Sequence, residues 1–574
     1  MFIFILILSF FAPVTSISIR VTTRFGTIIG KKNCDSRDVT EFLGVPYALP
    51  PVKQLRFKKP EQLTRNYYGK KFIATKKAKA CLQPIQKFGF NGLDDWYPKK
   101  EDMSEDCLQL NIWVPKNSNG AVIVFLFGGQ YTYGSPSLKF YDGSILAKQT
   151  GSIVVNVGYR LGVFGFAYFK GEKKKGIPGN LGLLDQQLAL KWIQQNIGYF
   201  DGDPKQVTLF GQGSGSAMAT AHLYSLKSTK LFKRIIASSG TIKNPWAHTK
   251  TEYVEDNFRR LISRLKCNDF HWTKEIECMQ KLKASMILEK APYIKHHLQS
   301  FSTPAYLPVD EDDVFFKSNI RILFKRNVFT KGKVDILLGK TLDEGSLFMP
   351  LRLNNDTYGC KLNFKKSMES SENQCEMDSR NFNKVVELIR FDHKLKEKSV
   401  AEILDLYKLE AKEFRDKALR AISDFGFNCD IREFAENLFF NIRGKKYIYT
   451  FNKRSSSNPW PKWMGAMHRY DLLYIFGYPF LNPKYYKSNQ LKNEKDYSEK
   501  LMNVIGGFAL NGKMYRELDN LYATFKGKQD YDNKFKLKKI RESYFREDNI
   551  CIEVKKIEHK YRLVHPSFED DYYD

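Results

Sequence analysis

The chain offers few places where its 574 residues could be divided into separate units. No segment repeats, and no glycine/serine or proline tract of linker type interrupts it, which excludes solenoid arrays and domains strung on flexible spacers. Beyond residue 14 no run approaches the ~20 apolar residues that a membrane-crossing helix needs. The terminus Ser567-Phe568-Glu569-Asp570-Asp571-Tyr572-Tyr573-Asp574 is acidic rather than a removable apolar tail, so no membrane span is expected. Acid is otherwise scarce: 63 Asp and Glu face 92 Lys and Arg, a formal charge of +29. Such a surplus draws a protein toward anionic surfaces. Lysine is scattered through a chain also rich in Asn, Ile, Phe and Tyr, so A/T-rich coding accounts for the surplus as readily as a partner does. Lys173-Lys174-Lys175 and residues 536–541 are either anionic contacts or solvated faces.

Residues 2–14 form an apolar run of signal-peptide length, followed by the small residues Thr15 and Ser16. The expectation is a signal over residues 1–16 and a secreted, extracellular protein, with an uncleaved anchor as the alternative. An exported protein does not meet nucleic acid, so none is expected as a partner. Nine cysteines in that setting point to disulfides whose connectivity spacing alone does not give. Asn355-Asp356-Thr357 is the one N-glycosylation acceptor. No metal and no cofactor are expected.

Apolar, β-branched runs at residues 121–126 and 153–157 alternate with helical stretches such as 188–196, the pattern of a mostly parallel sheet covered on both faces. Val207-Thr208-Leu209-Phe210 reads as a buried strand and Ser216-Ala217-Met218-Ala219-Thr220 as a helix start, with Gly211-Gln212-Gly213-Ser214-Gly215 turning between them. Further blocks are Phe42-Leu43-Gly44-Val45-Pro46-Tyr47-Ala48 with Leu55-Arg56-Phe57, then Ser104-Glu105-Asp106-Cys107-Leu108-Gln109-Leu110-Asn111-Ile112-Trp113. Gly158-Tyr159-Arg160-Leu161-Gly162 and Gly179-Asn180-Leu181-Gly182-Leu183-Leu184-Asp185-Gln186 follow. In this order they resemble the type-B carboxylesterases, and within them the cholinesterases and their non-catalytic adhesion members such as the neuroligins. The resemblance implies an α/β-hydrolase fold, a large mostly parallel central sheet with helices on both faces. It also implies one domain over residues 17–574, with residues 354–383 and 484–500 as surface insertions.

The same resemblance implies an acyl-transfer site. The turn matches the nucleophile elbow, in which a strand enters a helix and the middle residue is forced outward; here that residue is Gly213, and the serine is lost. Gly339-Lys340-Thr341-Leu342-Asp343-Glu344-Gly345-Ser346 resembles the acid loop, placing Glu344 as orienting acid. Gly465-Ala466-Met467-His468 resembles the histidine loop, placing His468 as base. Oxyanion donors would come from Gly128, Gly129 and the Ser214 N–H, with the Ser214 side chain pointing elsewhere, and Gln130 replaces a third glycine. Trp96 resembles the tryptophan that holds quaternary ammonium groups by cation–π attraction, or is an ordinary packed tryptophan. Trp246, Phe348 and Tyr470 match other gorge positions. Gln212 replaces an acid, Gln86 stands near an expected rim aspartate, and Ser302 and Pro304 fall near the acyl pocket.

The resemblance also implies bridges Cys81–Cys107, Cys267–Cys278 and Cys429–Cys551, joined by Cys360–Cys375 within an insertion. It leaves Cys34 as a buried thiol or an intermolecular bridge. Buried ion pairs Arg56–Glu105 and Arg160–Asp185 are expected. With the nucleophile missing, the expectation is no enzyme: a catalytically inactive cholinesterase-like pseudoenzyme that binds an extracellular protein, an anionic surface or a small quaternary-ammonium or ester ligand. The alternative is a weak carboxylic ester hydrolase acting through Ser214 or a His468-activated water.

Overall fold

The computed structural model of the chain describes residues 18–33, 38–172, 176–300, 303–513, 536–539 and 549–563. The apolar leader, Cys34, Lys173-Lys174-Lys175, Ser302 and the acidic terminus lie outside the described residues, as do Ile540 and Arg541.

Apolar runs without polar alternation bury both faces of a strand, and they supply the middle of a 12-stranded sheet. In chain order its strands are β1 (Ser18–Thr23), β2 (Gly26–Lys32), β3 (Val39–Pro46), β4 (Gly69–Ile73), β5 (Gln109–Pro115) and β6 (Val122–Leu126). There follow β7 (Ile153–Val157), β8 (Val207–Gln212), β9 (Arg234–Ser238), β10 (Asp335–Thr341), β11 (Lys446–Phe451) and β12 (Lys536–Lys539). Neighbours run β1-β2-β3-β5-β7-β6-β8-β9-β10-β11-β12, with β4 alongside β2. From β7 to β11 every pairing is parallel, and antiparallel strands cover the two flanks. Every residue of β6, β7, β8 and β9 is buried, so this centre is covered on both faces. It is the α/β architecture that the resemblance implies.

Two helices matter for the site. Helix α1 (Leu181–Asn196) buries Asp185, which takes a bidentate contact from Arg160 at 2.8 and 2.7 Å and a third bond from the Arg160 backbone N–H at 3.0 Å. Full satisfaction is what makes a buried pair tolerable. Arg56 meets Glu105 in the same way, Nη2 to Oε2 at 2.9 Å, and also donates to the carbonyls of Met279 and Leu282. Helix α2 (Ser214–Ala221) is buried along its whole length against β8 and β9. Small side chains let it approach the sheet, and a Cβ on Gly215 would stand 2.1 Å from the Leu126 carbonyl oxygen.

Residues 484–500, expected as a surface insertion, lie mostly in the first turns of the helix Ser488–Asn511; most of them are exposed, while Glu494, Tyr497 and Ser498 turn inward. The Glu494 carboxylate accepts the Tyr474 hydroxyl at 2.5 Å. Four disulfides close the chain: Cys81–Cys107, Cys267–Cys278, Cys360–Cys375 and Cys429–Cys551. The last spans 122 residues and ties the C-terminal helix Asn549–Tyr561 to the helix Cys429–Asn441. By loop-closure entropy, replacing Cys429 and Cys551 by alanine is expected to cost about 5 kcal/mol, against about 3 kcal/mol for the pair closing the short Cys267–Cys278 loop. Urea unfolding of the two variants checks the order; equal or inverted losses would contradict it.

Candidate functional site

Adjacent parallel strands end on one edge of a sheet, and their outgoing loops converge there. β6 runs into Gly128-Gly129-Gln130, β8 into Gly213, and β10 into the Glu344 turn; β11 leads through a longer loop to His468. Gly213 joins β8 to α2 with φ 57° and ψ −122°, a conformation that glycine enters without the cost a Cβ would bring. A Cβ built there would lie 3.1 Å from His468 Nε2. The elbow therefore aims at the imidazole, and residue 213 has nothing to place in the gap.

The imidazole itself is firmly held. Nδ1 of His468 lies 2.5 Å from Glu344 Oε2, while Glu344 Oε1 accepts the Thr341 N–H at 2.7 Å, and both side chains are buried. The rings of Phe348 and Phe427 pack on the imidazole with centroids 5.3 and 5.1 Å away. A carboxylate at Nδ1 fixes the proton on that nitrogen and leaves Nε2 as an acceptor. The acceptor is occupied: the Gln212 amide stands 3.0 Å from Nε2. The glutamine at the position of an expected acid thus caps the nitrogen on which a base would rely.

Asp343, beside Glu344, fastens the two loops together. Its N–H donates to the Ala466 carbonyl at 3.1 Å and its carboxylate accepts the Ala466 N–H at 2.9 Å. Gly465, at φ 58°, must be glycine because a Cβ would fall 2.1 Å from that carboxylate. Burial raises the Asp343 carboxyl to about 6.

Around the elbow, Gln130 and Tyr131 take left-handed backbone conformations, φ 52° and 64°. The N–H groups of Gly129 and Tyr131 meet at one oxygen, the Ser214 hydroxyl, at 3.1 and 3.4 Å. The expectation that the Ser214 side chain points elsewhere is thereby corrected. A first-turn serine is short enough to fold back beneath the 128–131 loop and satisfy donors that would otherwise be buried and unpaired. Gly128 packs on Gln212, whose backbone oxygen would lie 2.4 Å from a Cβ there.

A cavity of about 580 Å³ has Gln86, Trp96, Tyr97, Gln130, Tyr133 and Arg469 in its wall; Gln130 and Arg469 adjoin the elbow loops, while Gly213 and His468 do not line it. Of the expected gorge aromatics only Trp96 lines it. Phe348 packs on His468; Trp246 donates to the Gly426 carbonyl at 2.7 Å; Tyr470 is buried 6.3 Å from the Trp96 ring. Pro304 does not line the cavity; its carbonyl accepts from Gln299 at 2.7 Å. Trp96 is not open to a quaternary ammonium group, as the sequence led one to expect, because the Arg469 guanidinium sits over its ring, 4.8 Å from the centroid. Arg469 and Asp343 are the residues that sequence reading missed. Arg469 stands directly after His468 at φ 69°, and a long basic residue next to the histidine was the only signal the sequence carried. Asn355 is exposed at the cavity's rim.

The raised Asp343 carboxyl has a thermodynamic consequence. A carboxyl whose folded pKa is raised from 3.8 to about 6 stabilises the native state fully below about pH 3.8 and loses that contribution as pH rises through about 6. Between pH 4 and 7 the melting temperature of the wild type should therefore fall relative to that of Asp343→Asn, which keeps an acceptor for the Ala466 N–H. Parallel melting curves across that range would contradict the assignment.

The model of the carboxylesterase family matches residues 17–549. Among curated proteins, "Acetylcholinesterase 4" of Caenorhabditis briggsae is 34% identical over 496 residues, 83% of this chain and 78% of that protein. "Cholinesterase" of Mus musculus is 34% identical over 502 residues, covering 86% and 78%, and "Acetylcholinesterase" of Bungarus fasciatus is 32% identical over 505 residues, also 86% and 78%. These matches correct the expectation that the chain is not an enzyme. Relatives that share about a third of their residues over most of both chains bear the names of cholinesterases. A glycine at the elbow does not remove the carboxylate–imidazole pair on which such chemistry draws, so residue 213 by itself is no ground for calling the chain inactive. On a family match extending from residue 17 to residue 549, the chain belongs to the carboxylesterase family.

Proposed function

We propose that this is an extracellular carboxylesterase-family protein that admits small esters to its gorge and hydrolyses them slowly, with glycine in place of the family's serine and with water as nucleophile. The observation that carries this reading is the retained Glu344–His468 pair facing the empty side of Gly213, where a Cβ would lie 3.1 Å from Nε2. Water between Nε2 and an ester carbonyl would give its proton to the imidazole as its oxygen bonds to the carbonyl carbon. The leaving alkoxide would then take the proton from the imidazolium, so no acyl-enzyme forms. Two contacts keep the rate low. Gln212 must leave Nε2 before water can use it, and the Gly129 and Tyr131 donors must exchange the Ser214 hydroxyl for the substrate oxygen. Loss of a serine nucleophile alone costs on the order of 10⁶ in kcat, leaving roughly 10³–10⁴ over water. Four disulfides support the extracellular placement, since such bonds persist in oxidising compartments.

Hydrolysis of 4-nitrophenyl acetate by the purified protein tests the reading. Expected are linear progress curves without a burst, a rate lost in His468→Ala, and no mass adduct from a phosphonylating reagent. An adduct mapped to Ser214 or Ser216 would show a serine nucleophile instead, and a rate unchanged in His468→Ala would remove the site from the chemistry. Gly213→Ser should gain both adduct and rate, and Gly213→Ser with Gln130→Gly should exceed the single variant. A single variant already at about 10 s⁻¹, an ordinary enzyme turnover, would show that Gln130 does not disturb the oxyanion donors.

A further inference from the structure

Arg469 is a buried cation without an anion. It is 7% exposed, its Nε has no hydrogen-bond partner, and among the described residues no carboxylate lies within ion-pair distance of it. Its contacts are the Tyr133 hydroxyl, 2.8 Å from Nη2, and the ring faces of Trp96 and Tyr133 at 4.8 and 5.6 Å. Burial works against its charge, and the oxygens of Tyr133, Tyr141 and Tyr97 outweigh it, so the group remains a guanidinium. Ring faces stabilise a cation less than a paired carboxylate does, and a buried charge without its counterpart is unfavourable. The site is therefore short of one negative charge.

The cavity beside Arg469 has room for a ligand that supplies it. Its volume is about 580 Å³, and among the described residues no Asp or Glu stands in its wall, which carries a second guanidinium, Arg352, whose charge faces Asp392. Phe88, Leu93, Leu347 and Leu351 give the same wall apolar surface. We propose that the gorge binds a small amphipathic carboxylate, with its carboxylate paired to Arg469 and its apolar body against these side chains. Arginine pairs with carboxylate through a planar guanidinium fork, and Arg469 stands in the cavity wall. The same guanidinium covers the ring face that a quaternary ammonium ligand would need and repels its charge. Binding of this kind does not depend on ester hydrolysis at Gly213.

Three probes of similar size and different charge separate the outcomes: 4-phenylbutyrate, 4-phenylbutanol and (3-phenylpropyl)trimethylammonium. Each would be titrated calorimetrically against the full-length protein at low and at physiological salt. The expected result is that phenylbutyrate binds at least tenfold more tightly than either of the others and weakens as salt is raised. Arg469→Gly, which suits the left-handed backbone at that position, should lose the preference and expose Trp96 to the ammonium probe. The proposal is overturned if the ammonium probe binds the wild type as well as the carboxylate does, if no carboxylate binding is detected, or if the preference survives in Arg469→Gly. Should that variant not fold, the order of the three probes on the wild type decides alone.

Discussion

The parallel registration of β6, β8, β10 and β11 is the constraint on which the rest of the molecule depends. Parallel neighbours must finish on the same edge, and the loops that leave them are brought together however far apart they stand in the chain. Glu344 and His468, separated by 124 residues, are thereby set 2.5 Å apart. Asp343 then closes the remaining freedom by bonding the histidine loop at both its N–H and its carbonyl. The central strands tolerate this only because their faces are sealed, so that the ladder hydrogen bonds form without competition from water.

A glycine at the elbow changes the hydrogen-bond accounting of its surroundings. With no side chain at residue 213, His468 Nε2 and the N–H groups of the 128–131 loop would face an empty space, and buried polar groups without partners are costly. Neighbouring residues meet the need: the Gln212 amide covers Nε2 and the Ser214 hydroxyl takes the two N–H groups. The resting site is thus internally satisfied. The hydrolysis by water proposed above would have to displace those two contacts, which are the same hydrogen bonds that satisfy the turn.

Charge in the gorge follows a different logic from that of the surface. The formal +29 is a sum over lysines and arginines along the whole chain, and charge at the surface is screened within about a Debye length. Arg469 is buried and Arg352 partly buried at the cavity wall, where charge is screened less than at the open surface. Whether the cavity favours a cation or an anion therefore turns on these guanidinium groups and on the absence of a wall carboxylate, and hardly on net charge.

The sequence by itself determined the sheet and the register of the elbow. Runs such as Val122–Leu126 and Val207–Gln212 are short, mostly apolar and rich in β-branched residues, which fits a strand buried on both faces, and the glycines at 211, 213 and 215 mark a turn that other residues could not make so tightly. Glu344 and His468 were legible only through the resemblance, since each stands in a run similar to a motif of the family. What only the tertiary structure decided is which polar groups meet across those loops. Gln212 reaching Nε2, Ser214 turning back beneath Gly129, Arg469 covering Trp96 and Glu494 sheltering under Tyr474 each join residues whose side-chain directions no local pattern fixes. Hydrophobic periodicity records burial, which is a property of one position; a hydrogen bond or an unpaired charge is a property of two or more positions that only packing brings within about 3 Å.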